Sequence, residues 1–122
     1  MGVVEVNGYE IGPGADLQGA TFRKADLPGS DLSGSNLSGA NLRGVDLQGA
    51  TLRKADLTGA HLYWVNLTGA DLTGADLTGA DLREAGLLGA DLSGVSLERV
   101  KADEDTIWPA GFDPVAAGVI FE

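Results

Sequence analysis

Large apolar residues occupy every fifth position without a break: Leu17, Phe22, Leu27, Leu32, Leu37, Leu42, Leu47, Leu52, Leu57, Leu62, Leu67, Leu72, Leu77, Leu82, Leu87, Leu92 and Leu97. Two residues before each of these seventeen centres stands a small side chain, mostly Ala, with Ser30, Ser35, Val45, Val65 and Val95 as variants. The positions between are polar. The residue before the centre is Asp or Asn in twelve of seventeen units, and the residue two after it is Gly in twelve of seventeen. The chain is therefore a five-residue repeat over residues 15–99, with both apolar positions as candidate core.

Five suits neither regular element. On an α-helix, at about 100° per residue, every fifth residue advances by about 140° and the leucines spiral around the surface. In a strand five is odd, so successive leucines point to opposite faces. All of them share one side only if the chain bends once per unit. The polar residues suit that bend, since Asp and Asn bond their own neighbouring backbone in turns and Gly accepts a positive φ. A chain that bends the same way every five residues winds into a solenoid around its leucines.

The motif A-(D/N)-L-x-G, as in Ala40-Asn41-Leu42-Arg43-Gly44 and Ala70-Asp71-Leu72-Thr73-Gly74, resembles that of the pentapeptide-repeat proteins. The resemblance implies an all-β fold: a right-handed quadrilateral parallel β-helix with four units per coil, its interior filled by the central residue and the small one two before it. Seventeen units then make just over four coils, a column roughly 20 Å tall at the spacing of neighbouring strands.

A solenoid leaves open ends that need covering. Residues 1–14 are expected to form an N-terminal cap, a hairpin or strand, because Val4, Val6, Tyr9 and Ile11 alternate with polar residues around Asn7-Gly8. Residues 100–122 are expected to form a C-terminal cap, with Trp108, Phe112 and Phe121 supplying apolar area over the last coil. The same aromatics would also serve a dimer interface, and Leu88, apolar at an outward position, is a candidate self-association contact.

With four units per coil, residues twenty apart stack and the outer residues sort into four faces. The units on Leu17, Leu37, Leu57, Leu77 and Leu97 carry a net charge of −3, those on Leu27, Leu47, Leu67 and Leu87 −2, and those on Leu32, Leu52, Leu72 and Leu92 −1. The units on Phe22, Leu42, Leu62 and Leu82 carry +2, from Arg23, Lys24, Arg43 and Arg83 against Asp81 and Glu84. His61, Tyr63 and Trp64 lie on that face too. Arg43, Tyr63 and Arg83 are expected to stack within cation–π reach. The face reads either as a ladder that adds a little stability or as an interaction patch, since Trp64 takes a position usually given to Gly.

Composition narrows the function. Of 122 residues none is Cys and one is His, which leaves no thiolate site and no second imidazole for a metal cluster or a triad. His61 one coil from Asp81 has the form of a base and its orienter, but a solid leucine interior offers no pocket. The chain reads as non-catalytic, with no cofactor and no metal. The net charge of −10 argues against nucleic-acid binding. The Met1-Gly2-Val3-Val4-Glu5-Val6 start lacks a signal-peptide pattern and no run has the length of a membrane span, so a cytoplasmic location is expected. The expected role is a protein-interaction or scaffold module, monomer or weak homodimer, whose protein partner the sequence does not name. The alternative, implied by the resemblance, is an acidic DNA mimic that binds DNA gyrase or topoisomerase and modulates quinolone or toxin sensitivity.

Overall fold

The computed structural model describes residues 4–22, 25 and 27–122. Strand β1 (Val4–Val6) pairs antiparallel with β2 (Tyr9–Ile11), Val6 opposite Tyr9 and Val4 opposite Ile11. The turn between them is Asn7-Gly8, with φ of +53° and +83°. Two successive positive φ values match the right-handed twist of a tight hairpin.

From Asp16 onward the chain climbs as a ladder of single parallel bridges, each joining residues one coil apart: Asp16 with Asn36, Asn36 with Asp56, Asp56 with Asp76 and Asp76 with Ser96 on one face; Thr21 with Asn41, Asn41 with His61, His61 with Asp81 and Asp81 with Lys101 on another. The register is twenty residues, four five-residue units per turn. From Leu17 to Leu87 the amide of the centre donates to the coil above, as Leu42 to the His61 carbonyl at 2.8 Å, and from Asn36 onward the residue before the centre donates to the coil below, as His61 to the Ala40 carbonyl at 2.8 Å.

Among the described residues each bend is a turn closed from the residue three after the centre, as Ala20 N–H to the Leu17 carbonyl at 3.0 Å, with a positive φ at its third residue, the mark of a type II turn. The twelve glycine bends have φ between +65° and +72°. Lys54, Trp64, Glu84 and Arg99 hold the same left-handed conformation, at +57°, +61°, +58° and +56°.

The interior is a column of leucines and alanines. Sixteen of the seventeen centres are buried, from Leu17 to Leu87 and again at Leu97. Leu92 is only half-buried, which corrects its placement in the core. It sits on the last coil, where Pro109, Ala110, Gly111 and Phe112 leave an open cleft of about 320 Å³ above it. The two buried hydroxyls find backbone partners: Ser35 donates to the Leu32 carbonyl at 2.6 Å and Thr106 to the Leu82 carbonyl at 2.8 Å.

The ladder continues past the last leucine unit. Lys101 bridges to Asp81 and Ile107 to Gly86, one residue out of the twenty-residue step, so one residue is inserted at the bend 103–105. Strand β3 (Lys101–Ala102) then pairs in parallel with β4 (Ile120–Phe121).

Candidate functional site

The hydrogen bonds decide what most of the aspartates do. In eleven units the Asp or Asn before the centre accepts from the backbone amide two residues on, as Asp46 from Gln48 at 3.0 Å, Asn66 from Thr68 at 3.1 Å and Asp91 from Ser93 at 2.9 Å. These are Asx turns, and they explain why Asp and Asn interchange at this position. Where a hydroxyl follows, it adds a second donor: Thr73 to Asp71 at 2.5 Å and Thr78 to Asp76 at 2.6 Å. The side-chain bond from Ser33, Thr73, Thr78 or Ser93, and then the backbone amide of the same residue, holds Asp31, Asp71, Asp76 and Asp91 below the ordinary carboxylate range.

On the face singled out for its aromatic and basic residues, Asn41, His61, Asp81 and Lys101 stack at the start of successive rungs, with Arg43, Tyr63, Arg83 and Asp103 two residues further along each. Arg23, Lys24 and Asp26 lie outside the described residues. His61, Arg43 and Trp64 are exposed. The indole of Trp64 is 60% exposed at its left-handed bend, while its amide donates to the Arg83 carbonyl at 3.0 Å.

Two pairings here differ from the expected Arg43, Tyr63 and Arg83 stack. Arg83 turns back within its own unit and grips Asp81, Nε to Oδ1 at 2.9 Å and Nη2 to Oδ2 at 2.7 Å. The Tyr63 hydroxyl donates to a Glu84 carboxylate oxygen on the rung above. A two-residue bidentate pair within one unit costs less chain ordering than a reach across rungs, and it offers a carboxylate in place of a ring face. Partial burial pushes Asp81 up, but the Arg83 bonds outweigh it and keep this carboxyl ionised below its usual range. The bond to Glu84 raises Tyr63. Asp81 is therefore committed to Arg83 and does not orient His61.

At the N-terminal end, Ile11 is buried and Tyr9 packs its ring 4.9 Å from that of Phe22, while Val4 is 57% exposed, so its expected role over the core is corrected. Val4 lies at the start of β1, paired with Ile11. At the other end Trp108 and Phe112 stack with centroids 5.3 Å apart, both half-buried against the core. Phe121 is 47% exposed, a second correction: its strand pairs with β3 beside the bend of Asp103, Glu104 and Asp105 and leaves the ring turned away from the leucines. Leu88 is 58% exposed. Among the described residues no helix is long and apolar enough to cross a membrane, and no cluster of three His, Asp or Glu could hold a metal ion.

A parallel ladder of twenty-residue register around a leucine column defines a β-solenoid built from five-residue units. The family description Pentapeptide repeats (8 copies) matches residues 13–39, 35–74 and 60–99, and the chain belongs to that family, whose fold is a right-handed β-helix. Solved relatives agree. The chain is 39% identical to alr5209, a pentapeptide repeat protein from Nostoc Pcc 7120, over 88% of its own length and 84% of that protein's, with a TM-score of 0.65. It is 39% identical to Rfr23 from the cyanobacterium Cyanothece 51142 over 77% of this chain and 64% of that one, TM-score 0.76. It is 36% identical to HetL, a pentapeptide repeat protein of Nostoc sp. strain PCC 7120 involved in heterocyst differentiation regulation, over 75% of this chain but 45% of HetL, TM-score 0.71. The curated proteins contain no match.

Proposed function

We propose that the chain is a non-catalytic protein-interaction or scaffold module of the cytoplasm: a solenoid of about four coils over residues 15–99, capped by residues 1–14 and 100–122, that binds a protein partner through the face of Arg23, Lys24, Arg43, His61, Tyr63, Trp64 and Arg83. Trp64 carries this reading. Its indole is 60% exposed on a left-handed bend, a backbone position that twelve other bends give to Gly. Neither core packing nor turn chemistry asks for a tryptophan there, whereas large exposed aromatics beside arginines are the side chains that anchor interfaces. The involvement of HetL in heterocyst differentiation regulation sets a precedent, within the family, for a regulatory role.

DNA mimicry finds less support. It needs a continuous acidic surface, and the outer faces here carry only −3, −2 and −1 beside one of +2.

Affinity capture from a cell extract, with wild type beside Trp64→Gly and Tyr63→Ser, tests the reading. Loss of captured protein with Trp64→Gly supports it; an identical set on all three baits overturns it.

A further inference from the structure

The rungs of the Trp64 face carry an ordered series of charges. The middle rung, His61 to Trp64, has no Asp, Glu, Lys or Arg. The rung below it, Asn41 to Gly44, carries Arg43 and a charge of +1, and the unit beneath, Thr21 to Lys24, has +2 in its sequence from Arg23 and Lys24. The rung above, Asp81 to Glu84, carries −1, because Arg83 offsets Asp81 and leaves Glu84. The rung above that, Lys101 with the bend Asp103, Glu104 and Asp105, carries −2. Read up the solenoid the face runs +2, +1, 0, −1, −2. A surface of that kind is complementary to itself turned upside down.

We infer that the partner of this face is a second copy of the chain, docked antiparallel about a twofold axis that passes between Tyr63 and Trp64. The inference rests on the reading of this face as an interaction surface and adds the identity of its occupant. The axis follows from the rungs. A twofold rotation there exchanges the rung below with the rung above and reverses direction along each rung. Arg43, one place past its centre on the lower rung, then meets Glu84, two places past its centre on the upper one. Tyr63 meets the partner's Trp64, and each pair occurs twice, as an isologous contact requires.

The side chains suit the contact. Arg43, Trp64 and Glu84 are all exposed, and Gly44, beneath Trp64, leaves room for the partner's chain to approach. Opposite charges that steer and register two exposed patches give orientation more than affinity. A patch of a few rungs is small beside a standard interface, so the dimer is weak, and it loosens as salt shortens the screening length from about 30 Å at 0.01 M to about 3 Å at 1 M.

Sedimentation equilibrium on the 122-residue chain from about 10 μM to 1 mM, at low and high salt, reads the result directly. Wild type should dimerise at low salt and dissociate as salt rises. Arg43→Glu and Glu84→Arg should each raise Kd about tenfold or more, since each puts like charges together at two places, and Arg43→Glu/Glu84→Arg in one chain should recover most of the loss. Leu88→Thr, on a different face, should leave Kd unchanged. Thermal melts of each variant confirm that the solenoid is intact. A monomer at 1 mM in low salt, single charge reversals without effect, a double variant no tighter than the singles, or a Kd governed by Leu88 would each overturn the inference. A chain monomeric throughout that still loses a captured protein with Trp64→Gly would overturn the second copy and keep the face; one that is monomeric and captures the same set without Trp64 would overturn both.

Discussion

The same substitution, Gly to Ala, should change stability in opposite directions at two glycines of the ladder. Gly59 lies at a bend with φ +65° and Gly86 at a bridging position without a left-handed φ; an added methyl group would meet nothing within 4 Å at either site. Packing is thereby removed from the comparison and backbone conformation remains. At Gly59 alanine must enter the left-handed region, at a cost of about 1–2 kcal/mol, while its smaller freedom in the unfolded chain returns about 0.4–1 kcal/mol. The net is a loss of up to about 1.6 kcal/mol. At Gly86 only the unfolded-state effect operates, and alanine should stabilise by about 0.4–1 kcal/mol. Urea unfolding of the two variants beside wild type measures both, and because the unfolded-state effect is common to them the gap should be the left-handed cost alone, about 1–2 kcal/mol, or several degrees in a thermal melt. A gap near zero, or a Gly59→Ala variant stabilised like Gly86→Ala, would refute the claim that a left-handed bend once per unit winds the chain.

Other consequences are open to measurement. Leu52→Ala, at a fully buried centre, should cost about 3–5 kcal/mol in urea unfolding and Leu92→Ala, half-buried at the last coil, about 1–2 kcal/mol; equal losses would contradict the graded core. The lowered carboxylates give stability that is fully present above the unfolded aspartate value near pH 4 and is lost as pH falls through their depressed folded values, so urea unfolding should be flat from about pH 7 down to 4 and weaken below. Asp71→Asn/Asp76→Asn keeps both turn acceptors and should make the acid slope shallower; an unchanged slope would place the acid sensitivity elsewhere. Supercoiling by DNA gyrase, with and without a fluoroquinolone, should be unaffected by micromolar protein, and inhibition or protection would restore the mimicry reading.

Much of this molecule can be read in the sequence because each unit meets the same surroundings. Leu47 and Leu57 each have a buried Leu one coil down and another one coil up, so one rule covers nearly the whole column. The rule weakens where the repetition stops. Leu92 has the pattern of a core residue but lacks a complete coil above it, and Val4 and Phe121 are apolar residues of terminal strands whose orientation depends on a single pairing. The twenty-residue register placed Tyr63 beside Arg43 and Arg83 correctly along the column. It could not choose among partners within reach, and Arg83 took the nearby carboxylate of Asp81 while Tyr63 took Glu84. The spacing of Asp81 two residues before Arg83 was the available signal, since an acidic residue at an Asx-turn position followed by arginine sets up a bidentate pair. The ladder beyond residue 99 was hidden by a change of residue types, with Ala102 in the place of a leucine and Thr106 in that of an alanine, and by the extra residue in the acidic bend.

The fold and the proposed face both depend on residues twenty apart lying side by side. The chain has no cysteine, so pairs of spin labels can be introduced without a background. Gln48→Cys/Thr68→Cys labels adjacent coils, where the Gly49 amide donates to the Thr68 carbonyl at 2.9 Å, and Gln48→Cys/Thr58→Cys labels positions half a coil apart on opposite faces. Continuous-wave electron paramagnetic resonance should show strong dipolar broadening for the first pair, at roughly the 5 Å spacing of neighbouring strands, and none for the second. Broadening in the ten-residue pair, or its absence in the twenty-residue pair, would contradict four units per turn and with it the assembly of Arg43, Trp64 and Glu84 into one face.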